Sequence, residues 1–355
     1  MVDEQLFLCE INTIPWQQPA GNSEYRSALL VFADWLEEQG DSRGELIRLR
    51  EGLLQHPPKK QRVTWEPRLQ ELLNIGTSAV VAFWQNSIGM KFCWCPPGKF
   101  SMGSSPTEKE HNWEREVDVT LTQGFWLGTF LVTQGEYEKV MGKNPSNFFA
   151  NGDGQLKVVG QDTSRFPVEN VSWLDAIEYC QKLTEQERAA NRLIVGWEYS
   201  LPTEAEWEYA CRAGTMSATA FGTSLSSSQA NFNGDSPYND AERGPRLKRP
   251  ASVGTYASNA WGLYDMHGNV WEWCWDAFED TLPGGTDPIA VYGAPSESYR
   301  INRGGGWLSD GVDCRSATRG LNSRRSSFNS LGFRVSLILR ADNDAWFFRT
   351  TSLTT

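Results

Sequence analysis

Sixteen tryptophans stand in a chain that also carries 32 glycines and 17 prolines, and most of the tryptophans fall after residue 80. Each indole offers a large apolar body and one N–H that seeks an acceptor. Glycine and proline at this frequency interrupt long regular elements. The combination predicts short strands, turns and irregular loops held by aromatic anchors, not a helical bundle. A length of 355 residues suits one large domain with a small one. The 39% apolar share is enough to build a packed core.

The small unit is expected first. Tyr25, Leu29, Phe32, Ala33 and Leu36 recur at helical spacing, with Asn22 or Ser23 as the cap. Gly40-Asp41 interrupts them. Leu46, Ile47, Leu49 and Leu53 then resume an amphipathic stretch, and Leu69, Leu72 and Leu73 point to a third helix beyond His56-Pro57-Pro58. From about Ser87 the helical period gives way to alternation, as at Val117, Val119 and Leu121. Two later helices stand out. One runs from Asp175 to Leu183, started by Ser172; the other is capped by Thr203, with Glu206 completing a capping box. A last strand is expected over Gly332–Leu337. The expected organisation is a helical segment over 1–83, a main α+β domain rich in irregular loops over 84–340, and a polar tail over 341–355.

A formal net charge of −11 disfavours nucleic acid and anionic membranes, which both reward basic patches. No stretch has the apolar length of a membrane helix. The N-terminus lacks the basic-then-apolar order of a secretory signal, so a cytoplasmic protein is expected. Seven cysteines are an odd count without a CxxC pair, which fits reduced, packed thiols rather than a disulfide framework.

Eight segments, taken together, resemble the formylglycine-generating-enzyme (sulfatase-modifying-factor) family. They are Gly89–Phe92; Pro97–Phe100 with Met102–Ser104; Val132–Tyr137; Phe166–Trp173; Leu201–Ala210; Gly262–Trp273; Arg303–Trp307; and Leu331–Arg334, in the family's order across residues 88–338. The resemblance implies a C-type-lectin-like fold. The stretch from Ala33 to Leu49 is similar to a bacterial helical module, the repeat-companion domain.

The oxidising members of the family convert a sulfatase cysteine to formylglycine with copper and oxygen, and hold Cu(I) with a Cys-x4-Cys pair. Soft thiolates select Cu(I). Here the first position falls on Ser309 and the second on Cys314. Aligning instead on Arg315-Ser316-Ala317-Thr318-Arg319 removes both ligands, and this alignment places Leu331–Arg334 without a gap. Copper is therefore not expected, and Cys314 is a catalytic candidate only if the oxidase alternative holds. His56, His111 and His267 are too dispersed for the iron-dependent branch. Family resemblance also implies calcium: Asp265 and Glu272 with the carbonyls of Gly268 and Val270 at one site, and Asn231 with the Phe232 carbonyl at another.

Recognition usually sits on loops carried by a rigid scaffold. The expected binding surface is residues 307–330, with Trp307, Leu308, Ser309, Asp310, Asp313, Thr318, Leu321, Asn322, Arg324, Phe328 and Asn329 as candidate contacts. Arg315, Arg319 and Arg334 offer a second role there, tying loops to carboxylates. The function expected is a non-oxidising, calcium-supported binding module with an N-terminal helical adaptor, its ligand a peptide, a protein or a small molecule. Related lectin-like folds also serve as variable proteins diversified by retroelements. The alternatives are the copper-dependent oxidase and a purely structural component.

Overall fold

The computed structural model describes residues 4–17, 22–105, 108, 113–193, 195–290 and 299–339. The tail expected over 341–355 lies outside them. Four helices come first: α1 (Glu4–Gln17), α2 (Asn22–Glu38), α3 (Ser42–Leu53) and α4 (Lys59–Asn74). The last three fall where the apolar periodicity placed them. Helix α1 was not legible, because Leu6 on it is 64% exposed while Ile11 is buried, so no clean apolar stripe marks it. Asp41 caps α3 by accepting the Arg43 backbone N–H at 2.9 Å, and the Arg43 guanidinium pairs with Glu4.

These helices do not hang from a linker. Leu29, Phe32, Leu36 and Ile47 belong to the same apolar cluster as Met90, Phe92, Trp94 and Trp126 of the main domain. Burying one such side chain contributes roughly 1.5–3 kcal/mol. Polar contacts fix the seam. The Tyr25 hydroxyl accepts the Ala82 N–H at 3.1 Å, Arg50 donates to the Val80 carbonyl at 2.6 Å, and Glu66 accepts the amides of Met216 and Ser217 at 2.7 and 2.8 Å.

Among the described residues the main domain holds three sheets. The five-stranded sheet joins β1 (Phe83–Gln85), β2 (Lys91–Cys95), β5 (Phe125–Gly128), β12 (Ser336–Leu339) and β6 (Trp197–Ser200), in that order. A second sheet runs β10 (Arg319–Ser323), β9 (Tyr299–Arg303), β7 (Trp271–Ala277), β11 (Leu331–Phe333). The third joins β3 (Gly98–Met102), β4 (Val117–Leu121) and β8 (Gly285–Thr286). The strand expected over Gly332–Leu337 is in fact two. β11 pairs parallel with β7, and β12 pairs antiparallel with β5 and β6. Alternation persists through Arg334, so the switch between sheets leaves no mark on the apolar pattern.

Three helices complete the domain: α5 (Gln134–Met141), α6 (Trp173–Ala189) and α7 (Glu204–Arg212). Each starts with a capping box, Thr133/Glu136, Ser172/Asp175 and Thr203/Glu206. The tryptophans anchor as expected: the indole N–H of Trp173 donates to the Cys274 carbonyl and that of Trp273 to the Val171 carbonyl, at 2.9 and 3.0 Å. Among the described residues no helix is long and apolar enough to cross a membrane.

Candidate functional site

The segment 304–330 leaves β9 through a tight glycine turn. Gly304 and Gly305 have φ of +92° and +73°, and a Cβ on Gly305 would lie 2.5 Å from the Cys314 sulfur. Only glycine meets both demands. The chain then drops Trp307 into the core, where its ring meets Phe148 edge-on at 5.3 Å and its N–H donates to the Asn329 carbonyl at 2.9 Å. Further backbone bonds fix the far end of the segment. The amides of Asn170, Leu174 and Trp271 donate to the carbonyls of Phe328, Arg324 and Ser330, at 2.9, 3.4 and 2.8 Å.

Buried ion pairs hold the segment from below. Arg319 is bidentate on Glu204 at 2.7 and 2.9 Å, Arg315 reaches Glu114 and Glu108, and Arg303 pairs with Glu208, which also holds Arg212. Arg334 grips Glu272 with two bonds of 3.0 Å. Arg315, Arg319 and Arg334 thus play the loop-tying role that the sequence offered.

The eleven expected contacts separate by exposure. Leu308 and Phe328 are 53% and 48% exposed, and Asp310 is also exposed. Ser309, Asp313, Leu321, Asn322, Arg324 and Asn329 are half-buried. Trp307 and Thr318 are buried: Trp307 is an anchor, and the Thr318 hydroxyl donates to the Val312 carbonyl at 3.0 Å. Asp310 accepts the Asn233 side-chain N–H at 2.7 Å, so a loop remote in sequence enters the surface.

The sequence reading missed the floor of this surface. Gly320 lies over Asn302 and Trp271; a Cβ there would fall 2.2 Å from the Asn302 carboxamide oxygen and 3.0 Å from the Trp271 ring. The Asn302 amide nitrogen is buried without a hydrogen-bond partner, and Trp271 is half-buried beside it. The register Gly320↔Asn302↔Trp273 puts these residues on one face of the sheet. No local sequence signal reports a pairing across strands so far apart in the chain.

The thiol of Cys314 is fully buried, and burial, with Asp313 and Asp310 nearby, holds it well above the ordinary thiol range. Ser309 accepts the Gly306 N–H at 3.1 Å and places no second sulfur near it. A single buried thiol does not fit a Cu(I) pair. His267 is pushed down to about 4 by burial. Its Nε2 accepts the Ala220 N–H at 3.1 Å, and its Nδ1 faces the Cys314 carbonyl at 2.7 Å, so both ring nitrogens are engaged by backbone.

The residues at the first expected calcium position do not fit a cation as they stand. Both Glu272 oxygens are engaged, by Arg334 and the Trp207 indole N–H. Asp265 accepts the Gly254 N–H at 2.8 Å, and burial raises its carboxyl to about 6. Gly268 and Val270 flank Asn269, whose side chain touches both Asp265 and Asn231. At the second position Asn231 gives its amide to the Arg249 carbonyl and Phe232 is fully buried. Among the described residues no group of three or more His, Cys, Asp or Glu is placed to hold a metal ion.

Comparison with known proteins places this architecture. A model of the sulfatase-modifying factor enzyme 1-like domain matches residues 81–337. The chain belongs to this family. Among relatives of the sulfatase-modifying-factor domain, the formylglycine-generating enzyme of Bos taurus is 33% identical over 287 residues, covering 67% of this chain and 72% of that protein. The chaperone protein LppX of Paenibacillus barcinonensis is 30% identical over 230 residues, covering 55% of this chain and 72% of its own length. Two solved structures superpose on the domain. Treponema denticola variable protein 1 is 26% identical with a TM-score of 0.57, over 73% of this chain and 99% of that one. PvdO from Pseudomonas aeruginosa is 25% identical with a TM-score of 0.59, over 73% and 98%. The four N-terminal helices begin before the matched residues and are additional to the domain.

Proposed function

We propose that this sulfatase-modifying-factor domain is a non-oxidising module that captures a peptide or protein on the surface formed by residues 308–329. One observation carries the reading. An irregular segment is tied down at both ends by backbone bonds and from beneath by buried ion pairs, yet presents Leu308 and Phe328 to solvent. Rigid presentation of exposed apolar side chains lowers the ordering cost of binding. The half-buried Trp271 ring lies against Gly306 and Gly320 and adds aromatic area to the segment. The likeness to a protein named a variable protein is in line with the variable-protein type of module. Calcium and copper take no part in this reading.

The test is selection of peptides from a displayed library on the full chain, followed by titration of one selected peptide. Leu308→Asp with Phe328→Asp is expected to weaken binding at least tenfold while the thermal midpoint moves little. Peptides that bind the double variant equally well would refute the surface. Incubating the full chain with Cu(I), oxygen and a cysteine peptide tests the oxidase alternative; a product carrying the mass of an aldehyde would establish it instead.

A further inference from the structure

The strand β10 ends its sheet. Its register against β9 is continuous from Arg319 to Ser323, and among the described residues no strand lies on its other side. Backbone groups alternate in direction along a strand, so the partners of one strand fix the direction of the next. The Trp271 N–H donates to the Ser330 carbonyl, on the β11 side, so Glu272 turns to β9 and takes Arg303 as its bonded pair. Asn302 and Arg300 then turn to β10, where Gly320 and Asn322 answer them. The N–H and C=O of Arg319 and Leu321, with the Ser323 N–H, therefore point out of the sheet. Among the described residues nothing bonds to them.

Proteins guard such an edge with lysine, proline, a bulge or a short strand. The edge strands β1, β6, β8 and β11 are short, and β3 carries an exposed Lys99. β10 has 5 residues and neither lysine nor proline, and its one cation, Arg319, is spent on Glu204. Each face beside the edge offers an aromatic ring. On one, Gly320 has no Cβ, and the half-buried Trp271 ring reaches over it. That ring also lies against Gly306, so the edge continues into the turn that presents Leu308. On the other, half-buried Leu321 shares a face with Arg319, whose guanidinium lies 5.4 Å over the Phe278 ring. Phe278 in turn meets Trp113, which is 55% exposed, edge-on at 5.7 Å.

We propose, on the footing that residues 308–329 capture a peptide, that it binds as an added antiparallel strand along β10, in extended form, with two adjacent apolar residues. An extended backbone supplies a donor and an acceptor at the spacing of Leu321, and sheet edges in other domains take peptides by such strand addition. The peptide residue opposite Leu321 exchanges both bonds with it and lays its side chain on the face of Leu321 and Phe278. Its neighbour, opposite Gly320, turns to the Trp271 ring. A second copy of this chain could present the same edge, but a net charge of −11 on each copy opposes that pairing.

The test titrates the full chain with a library-selected peptide and with copies of it, each N-methylated at one backbone amide, by fluorescence anisotropy. Methylation at alternate amides should weaken binding at least tenfold, and at the intervening amides less than about threefold. Leu321→Pro removes an outward N–H and breaks no bond to β9, so it should keep the fold and weaken binding at least tenfold. Leu321→Ala, which keeps that N–H, should weaken it less. Near-UV circular dichroism verifies each fold; if Leu321→Pro is not native, the methylation scan decides. A selected peptide that loses affinity for the Leu308→Asp/Phe328→Asp variant, yet shows no alternation and binds Leu321→Pro within about twofold, overturns strand addition and leaves peptide capture standing. Failure to select any peptide overturns both. A dimer in sedimentation that Leu321→Pro dissociates gives the edge to a second copy and overturns the proposal.

Discussion

Replacing Arg334 by methionine removes the cation beside Glu272 and keeps most of the side-chain volume. Both residues are fully buried. Arg334 supplies two bonds of 3.0 Å to the carboxylate and one each to the carbonyls of Gly128 and Tyr264, at 2.8 and 2.7 Å. After the change, Glu272 keeps one donor, the Trp207 indole N–H at 3.0 Å. Breaking a buried pair from one side costs about 3–5 kcal/mol, because a charge is left uncompensated. At about 2–4 °C per kcal/mol for a domain of this size, the thermal midpoint should fall by roughly 6–20 °C. Scanning calorimetry reads that shift. Adding Glu272→Gln to Arg334→Met neutralises the stranded carboxylate and should restore part of the loss. A loss below about 1 kcal/mol, or a double variant weaker than the single one, would refute the reasoning.

Further outcomes follow from the same contacts. Burial pushes the Glu169 carboxyl up to about 8, with the Phe148 and Asn147 amides opposing it. The folded protein then holds a proton that the unfolded chain releases near 4.5, so this residue's contribution is fully present below about pH 4.5 and lost as pH rises to about 8. Denaturant midpoints across that window should fall less steeply for Glu169→Gln; an unchanged slope would count against a raised carboxyl. Trp307→Ala should cost about 3–5 kcal/mol in urea unfolding by emptying a core site, whereas Phe328→Ala should stay within about 0.5 kcal/mol. Titration with a thiol reagent should find one fast thiol, Cys9, in the native protein, with Cys314 and the other buried cysteines reacting only on unfolding. Rapid native reaction of Cys314 would contradict its burial.

Much of the fold was legible because it rests on local rules. Ser172 and Thr203 announce their helices through a hydroxyl and a carboxylate three residues on, a pairing that needs only the first turn to form. The order of the glycine- and tryptophan-rich segments carried the family. The site was legible only in outline. Leu308 and Phe328 were named with Trp307 and Thr318, because a linear pattern does not separate a side chain that faces solvent from one that faces the core. Asn302, Trp271 and Gly320 meet through strand register, over sequence separations that no periodicity spans.

The sequence by itself determined where the capped helices α6 and α7 start, which residues are apolar enough to anchor loops, and that the Cys-x4-Cys pair is missing. Tertiary structure decided the rest. It split the last strand between two sheets, gave Glu272 to Arg334 and Trp207, and pressed the N-terminal helices onto the domain with a cavity at the seam. Those outcomes depend on burial and on partners distant in the chain, and both come into being only when the chain closes on itself.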